Sequence, residues 1–142
     1  MPLFEPIYEP FLIEYCRRDA WSLFKPEHFH NCYEIYYLAS GSITYFIRDA
    51  VYPIKHGDFI VIPPGNLHKT LPHQQPDHTR ILLYIKPDFL EHTLECPGFL
   101  EKNFPEPVII TGREKLASEL LQTLQKEAAI PDNAVMQRLL CG

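Results

Sequence analysis

His28 and His30 stand two residues apart, Glu34 follows after Asn31-Cys32, and His68 comes just after the run Pro63-Pro64-Gly65-Asn66-Leu67. On a strand, residues i and i+2 share a face, so His28 and His30 can point at one centre. Glu34 shares its strand face with Tyr36 and Leu38, and a proline-stiffened turn can aim His68 back at the same place. Three neutral imidazoles and one carboxylate suit a divalent transition ion, Zn²⁺, Mn²⁺, Fe²⁺ or Ni²⁺. The alternative is that the four side chains hydrogen-bond to backbone or water and hold no ion. Catalysis needs more, namely a bound substrate and a placed acid or base, and Tyr36 is the nearest candidate acid. A strand tyrosine is more often a pocket or core wall, so no catalytic residue is assigned. His56, His73, His78 and His92 stand beside turns or on a polar face and are expected to be solvated.

The elements that must position this set are short strands. Fourteen prolines and 13% aromatic residues in 142 punctuate the chain and disfavour long helices. Between Phe11 and Ile85, the runs FLIEYC, FH, YEIYYLA, SITYFIR, VYPI, DFIVIP and RILLYI are β-branched and aromatic, separated by turn residues. This predicts a mainly β domain, a sandwich or barrel. Ala39-Ser40-Gly41-Ser42 reads as one tight hairpin and Arg48-Asp49-Ala50 as another. DFIVIP and RILLYI are apolar on both faces, so their sheet needs an outer cover.

Residues 87–104 read as one or two short helices broken at Cys96-Pro97-Gly98. Thr111-Gly112-Arg113-Glu114 has the form of a capping box, followed by Leu116, Leu120, Leu121 and Leu124 on one helical face. A helix over about 112–128 is expected to supply the cover. Asp132 can cap a second helix striped with Val135, Met136, Leu139 and Leu140. That stripe needs its own partner, which predicts a homodimer through residues 112–141, using Leu116, Leu120, Leu121, Leu124, Met136, Leu139 and Leu140. An apolar stripe running to the last residues reads as a chain interrupted before a further domain. Residues 1–10 form a proline-rich arm that either folds over the barrel mouth or is disordered.

Composition narrows the function classes. Thirteen Lys and Arg against eighteen Asp and Glu give a formal charge of −5, the wrong sign for a domain gripping phosphate backbones. No apolar run is long enough to span a bilayer, and the N-terminus lacks a signal-peptide pattern, which predicts a cytoplasmic protein. Cys16, Cys32, Cys96 and Cys141 form no C-x-x-C pair and are expected to be reduced thiols without chemistry. Tyr36 and Leu38, with Trp21 as a stacking wall, would line a pocket for a small sugar, an aromatic acid or a similar metabolite. The same residues could instead fill a closed core.

The string His28-x-His30-x₃-Glu34-x₆-Gly41 resembles the first cupin motif, and Gly57-x₅-Pro63-x-Gly65-x₂-His68 resembles the second. The leading glycine of the first motif falls on Ser22 and the trailing asparagine of the second on Pro72, departures that touch no ligand. The resemblance implies a double-stranded β-helix barrel, or jelly roll, in which residues matching His28, His30, Glu34 and His68 bind one metal. With two apolar helices after the barrel, the chain is similar to the N-terminal domain of AraC-family transcription regulators. That likeness implies a cupin barrel over 11–110 that binds a small-molecule effector, a dimerising helical segment over 111–142, and DNA binding by a C-terminal domain absent from this chain. The competing expectation is a stand-alone metal-dependent cupin enzyme of isomerase or dioxygenase type.

Overall fold

Alternation of apolar and polar residues decides most of this structure, because a strand that buries one face in a closed barrel must place every second side chain inward. The computed structural model describes residues 3–18, 26–71, 77–116, 118–119 and 122–123. Its strands are β1 (Leu3–Phe4), β2 (Phe11–Arg18), β3 (His28–Phe29), β4 (Tyr33–Ser40), β5 (Ser42–Ile47), β6 (Ala50–Lys55), β7 (Phe59–Ile62), β8 (His68–Leu71), β9 (His78–Ile85) and β10 (Val108–Ile110). Two short helices, α1 (Pro87–Leu94) and α2 (Phe99–Asn103), lie between β9 and β10.

The strands form two five-stranded sheets, β1-β3-β8-β5-β6 and β10-β7-β4-β9-β2. Neighbours are antiparallel except β1 and β3. The chain passes repeatedly from one sheet to the other, as in a jelly roll. Between the sheets, Tyr36, Leu38, Ile60, Ile62, Leu82 and Tyr84 meet Ile43, Tyr45, Ile47 and Ile54 in one buried core. The expected mainly β cupin-type barrel is therefore the fold observed.

Several local expectations are corrected. Ala39-Ser40-Gly41-Ser42 is not a hairpin, because β4 pairs with β7 and β9 whereas β5 pairs with β6 and β8. The segment is the crossing between sheets, and Gly41 makes it with φ of 91°, a left-handed value that glycine adopts without a Cβ penalty. The Arg48-Asp49 turn does join a hairpin, with Ile47 opposite Ala50. Residues 3–10 of the proline-rich arm lie against the barrel: β1 runs alongside β3, and the Ile7 N–H donates to Asn31 Oδ1 at 3.0 Å.

Part of the outer cover over DFIVIP comes from α2, while Leu120, Leu121 and Leu124 of the expected C-terminal helix lie outside the described residues. Leu100 packs with Tyr33 and Val61, flanked by Phe99, Phe104 and Ile110. The break at Cys96-Pro97-Gly98 falls between the two helices as expected, with Gly98 at φ of 74°. Helix resumes at Glu114, so Thr111 lies outside the cap position read from the sequence. Residues 114–116, 118–119 and 122–123 are helical, and Leu116 is 50% exposed. The second C-terminal helix expected after Asp132 lies outside the described residues. Cys32 and Cys96 are free.

Candidate metal centre and effector site

Four elements deliver the four candidate ligands. His28 opens β3 and stands directly opposite His68, the first residue of β8. His30 follows β3, and Glu34 points inward from β4 beside Tyr36 and Leu38. All four are buried, and one donor atom from each lies within 4.8 Å of the others. The loop before β8 is tied down by the Gly65 N–H donating to the His30 carbonyl at 3.0 Å and by Asn66 Nδ2 donating to the Pro63 carbonyl at 2.9 Å. The aim of His68 is thus set by the residues the sequence marked as a rigid turn.

The orientation of the imidazoles is informative. Nδ1 of His28 lies 3.1 Å from the Pro26 carbonyl, Nδ1 of His30 lies 3.0 Å from the Glu5 carbonyl, and Nδ1 of His68 lies 2.8 Å from the Asn66 carbonyl. A carbonyl oxygen only accepts, so each Nδ1 carries a proton, and in a neutral ring the lone pair then falls on Nε2. That is the tautomer a metal ligand needs, fixed by outer hydrogen bonds. Nε2 of His30 and of His68 lie 3.3 and 3.4 Å from Glu34 Oε1, and neither makes a well-formed hydrogen bond. Two buried nitrogens without a good partner beside one carboxylate oxygen are what a divalent cation would satisfy. The donor set fits such an ion.

Electrostatics agree with the geometry. Burial alone would raise the Glu34 pKa, but the charge of His68 and the close Nε2 contacts of His30 and His68 hold it well below the usual carboxylate range. Burial would lower the His68 pKa, yet Glu34 outweighs it and the value is raised. His28 is lowered, by burial first and then by His68. A carboxylate kept ionised among imidazoles is a cation site whether a proton or a metal fills it.

The sequence reading missed Tyr45 and Tyr84. The Tyr45 hydroxyl donates to Glu34 Oε2 at 2.8 Å, and the Tyr84 ring meets His30 edge-on at 5.0 Å. The alternation of SITYFI marks Tyr45 as inward, but only the sheet crossing at Gly41 brings it opposite Glu34. Tyr36 and Leu38 are both fully buried, with the Tyr36 ring edge-on to Tyr45 at 5.0 Å. His56 and His92 are exposed as expected. His78 is not: it is 2% exposed at the start of β9, because strand parity puts it on the inward face with Leu82 and Tyr84. His73, Trp21, Leu120, Leu121, Leu124, Met136, Leu139 and Leu140 lie outside the described residues.

The family profile of the AraC-like ligand-binding domain matches residues 12–140. The chain belongs to this family. No curated protein matches it. Among solved structures, ToxT from Vibrio cholerae strain SCE256, bound to an unsaturated fatty acid, aligns at a TM-score of 0.56 and 14% identity, covering 80% of this chain and 46% of ToxT. ToxT from Vibrio cholerae O395 bound to (E)-4-(8-methylnaphthalen-1-yl)but-3-enoic acid gives 0.54 and 11%, covering 92% and 53%. The plu4264 protein from Photorhabdus luminescens gives 0.50 and 23%, covering 63% and 73%. These similarities show a shared fold. This AraC-like ligand-binding domain spans about half the length of ToxT. Among its described residues, no helix is long and apolar enough to cross a membrane.

Proposed function

We propose that this chain is the effector-sensing and dimerisation domain of an AraC-like transcription regulator, acting in the cytoplasm. Its barrel takes a small-molecule effector against Tyr36 and Leu38, with Trp21 as a further wall. The observation that carries this reading is a buried polar centre, His28, His30, Glu34 and His68, inside the apolar barrel of a ligand-binding family. We further propose that these four hold one divalent transition ion, Zn²⁺, Mn²⁺, Fe²⁺ or Ni²⁺, which would supply a Lewis-acidic contact for an effector oxygen. The chain's own part is to present three Nε2 lone pairs and one carboxylate oxygen in fixed orientation and to exclude bulk water.

Regulation would be a shift of populations. An effector favours whichever arrangement of arm and helices it binds better, and only that difference in affinity can alter how two subunits present DNA-binding domains. DNA contact belongs to a C-terminal domain outside this chain. Leu116, half-exposed on a helix after the barrel, supports the homodimer, with Leu120, Leu121, Leu124, Met136, Leu139 and Leu140 as the rest of its interface. Sedimentation at tens of micromolar should show a dimer, and Leu116→Arg should shift it toward monomer; a wild-type monomer would overturn this part. A reading frame continuing past Gly142 into a basic pair of helix-turn-helix motifs is the expected genetic context.

The same constellation supports a second reading, a metal-dependent cupin enzyme. A stop codon after Gly142, together with turnover of a substrate that His30→Ala abolishes, would favour it over the regulator.

A further inference from the structure

A second polar centre lies on the inward face of the barrel, away from the four ligands. Arg80 of β9 stands opposite Cys16 of β2 and Leu38 of β4. Its Nη2 donates to Glu14 Oε1 at 2.9 Å, and the two side chains are only 13% and 18% exposed. The guanidinium carbon lies 5.9 Å from the centre of the Tyr36 ring. Nε is fully buried and has no acceptor among the described residues.

A guanidinium carries five N–H donors in a planar fork. Glu14 engages one of them with a single oxygen. A largely buried ion pair of this kind adds little net stability, since desolvation offsets the attraction. A buried N–H without an acceptor is a cost that a planar oxyanion would remove. Burial opposes the charge on Arg80, but the Glu14 carboxylate beside it helps to hold it protonated. Glu14 also limits the anion: with the pair already neutral, a dianion such as phosphate would leave two uncompensated charges in a low-dielectric interior. A carboxylate leaves one. The walls beside the fork, Leu38, Leu82 and the Tyr36 ring, suit an apolar body.

We propose that Arg80 anchors the carboxylate of a monoanionic organic-acid effector inside the barrel, with Glu14 holding the guanidinium in place and moderating its affinity. The inference rests on the reading that the barrel binds an effector.

The test uses the 142-residue chain with acetate, hexanoate and benzoate, and with hexanamide and benzamide as neutral partners, by calorimetric titration and thermal shift. At least one of the two larger acids should bind, with its amide weaker by roughly tenfold or more. Arg80→Met should lose that preference and Arg80→Lys should keep part of it. Glu14→Gln, which leaves the fork uncompensated, should bind the acids several-fold more tightly and carries the test if Arg80→Met fails to fold. Amides binding as well as acids, unaffected by Arg80→Met, would overturn the carboxylate anchor and leave the effector reading standing. No binding by acids or amides would overturn both.

Discussion

Tyr45 and Glu34 are joined across the barrel: the hydroxyl of Tyr45, on one sheet, donates at 2.8 Å to Oε2 of Glu34, on the other. The remaining oxygen, Oε1, is the one that faces His30 and His68. The tyrosine thereby selects which oxygen of the carboxylate is offered to a cation. Tyr45→Phe should therefore weaken Zn²⁺ binding by roughly 10 to 100-fold, the usual effect of losing an outer-shell partner. It should also lower stability by about 1–3 kcal/mol, because a buried carboxylate oxygen loses its donor. Calorimetric titration with Zn²⁺ and urea unfolding of the ion-free protein check the two parts, with His30→Ala as the variant that loses the ion.

Proton and metal compete for the same nitrogens. His68 has a folded pKa raised above 6.5 by Glu34, against the effect of burial, so in the ion-free protein its contribution to stability is fully present below 6.5 and is lost as pH rises through the folded value. His28, lowered by burial and by His68, acts in the opposite sense below 6.5. The ion-free unfolding midpoint should fall as pH rises above about 6.5 and through the raised His68 value, while Zn²⁺ affinity rises over the same interval by up to roughly tenfold per unit as one proton is displaced. A midpoint that rises with pH in the ion-free protein would contradict the His68–Glu34 pairing.

Gly41 has two reasons to be glycine. Its φ is 91°, and a Cβ there would come within 2.7 Å of the Asp77 carbonyl oxygen and 2.8 Å of His78 Cβ. Gly41→Ala should destabilise the domain by about 2 kcal/mol or more, whereas Gly65→Ala, at φ of 79° with open space around it, should cost only the backbone strain, about 1 kcal/mol. Urea denaturation of the two variants compares them directly.

Two free thiols should differ in reactivity. Burial, and then the negative charge of Glu34, push the Cys32 thiol up to about 12, while Cys96 is exposed. Brief iodoacetamide treatment of the native protein, followed by peptide mapping, should modify Cys96 and spare Cys32.

The convergence of His28, His30, Glu34 and His68 was legible because their spacing carries geometry: i and i+2 on a strand share a face, and Pro63, Pro64 and Gly65 stiffen the loop before His68. Tyr36 and Leu38 followed from parity with Glu34. Partners across the barrel were not legible. Tyr45 alternates correctly within its strand, but reading Ala39–Ser42 as a hairpin put it beside β4 instead of opposite it. β8 escaped notice because His-Lys-Thr-Leu is polar for a strand, and β10 because three residues carry no periodicity. His78 looked solvated from its polar neighbours, although its inward face follows once β9 is extended back to it. The cover from α2 was missed because a five-residue helix has too few turns to show a stripe.

The strand order β10-β7-β4-β9-β2 has a kinetic consequence. The central strand β4 pairs on both sides with strands made later, and β2 waits for β9, some sixty residues further on, with Phe11 opposite Ile85. Chains dominated by such distant pairings fold slowly, because loop closure must precede any reward from contact. During synthesis, His28, His30 and Glu34 emerge well before the strand that carries His68, and the face of β4 that bears Glu34 stays open until the opposite sheet, with Tyr45 of β5, packs over it. The candidate cation site is therefore a late product of folding, and an ion bound there would report that both sheets have closed.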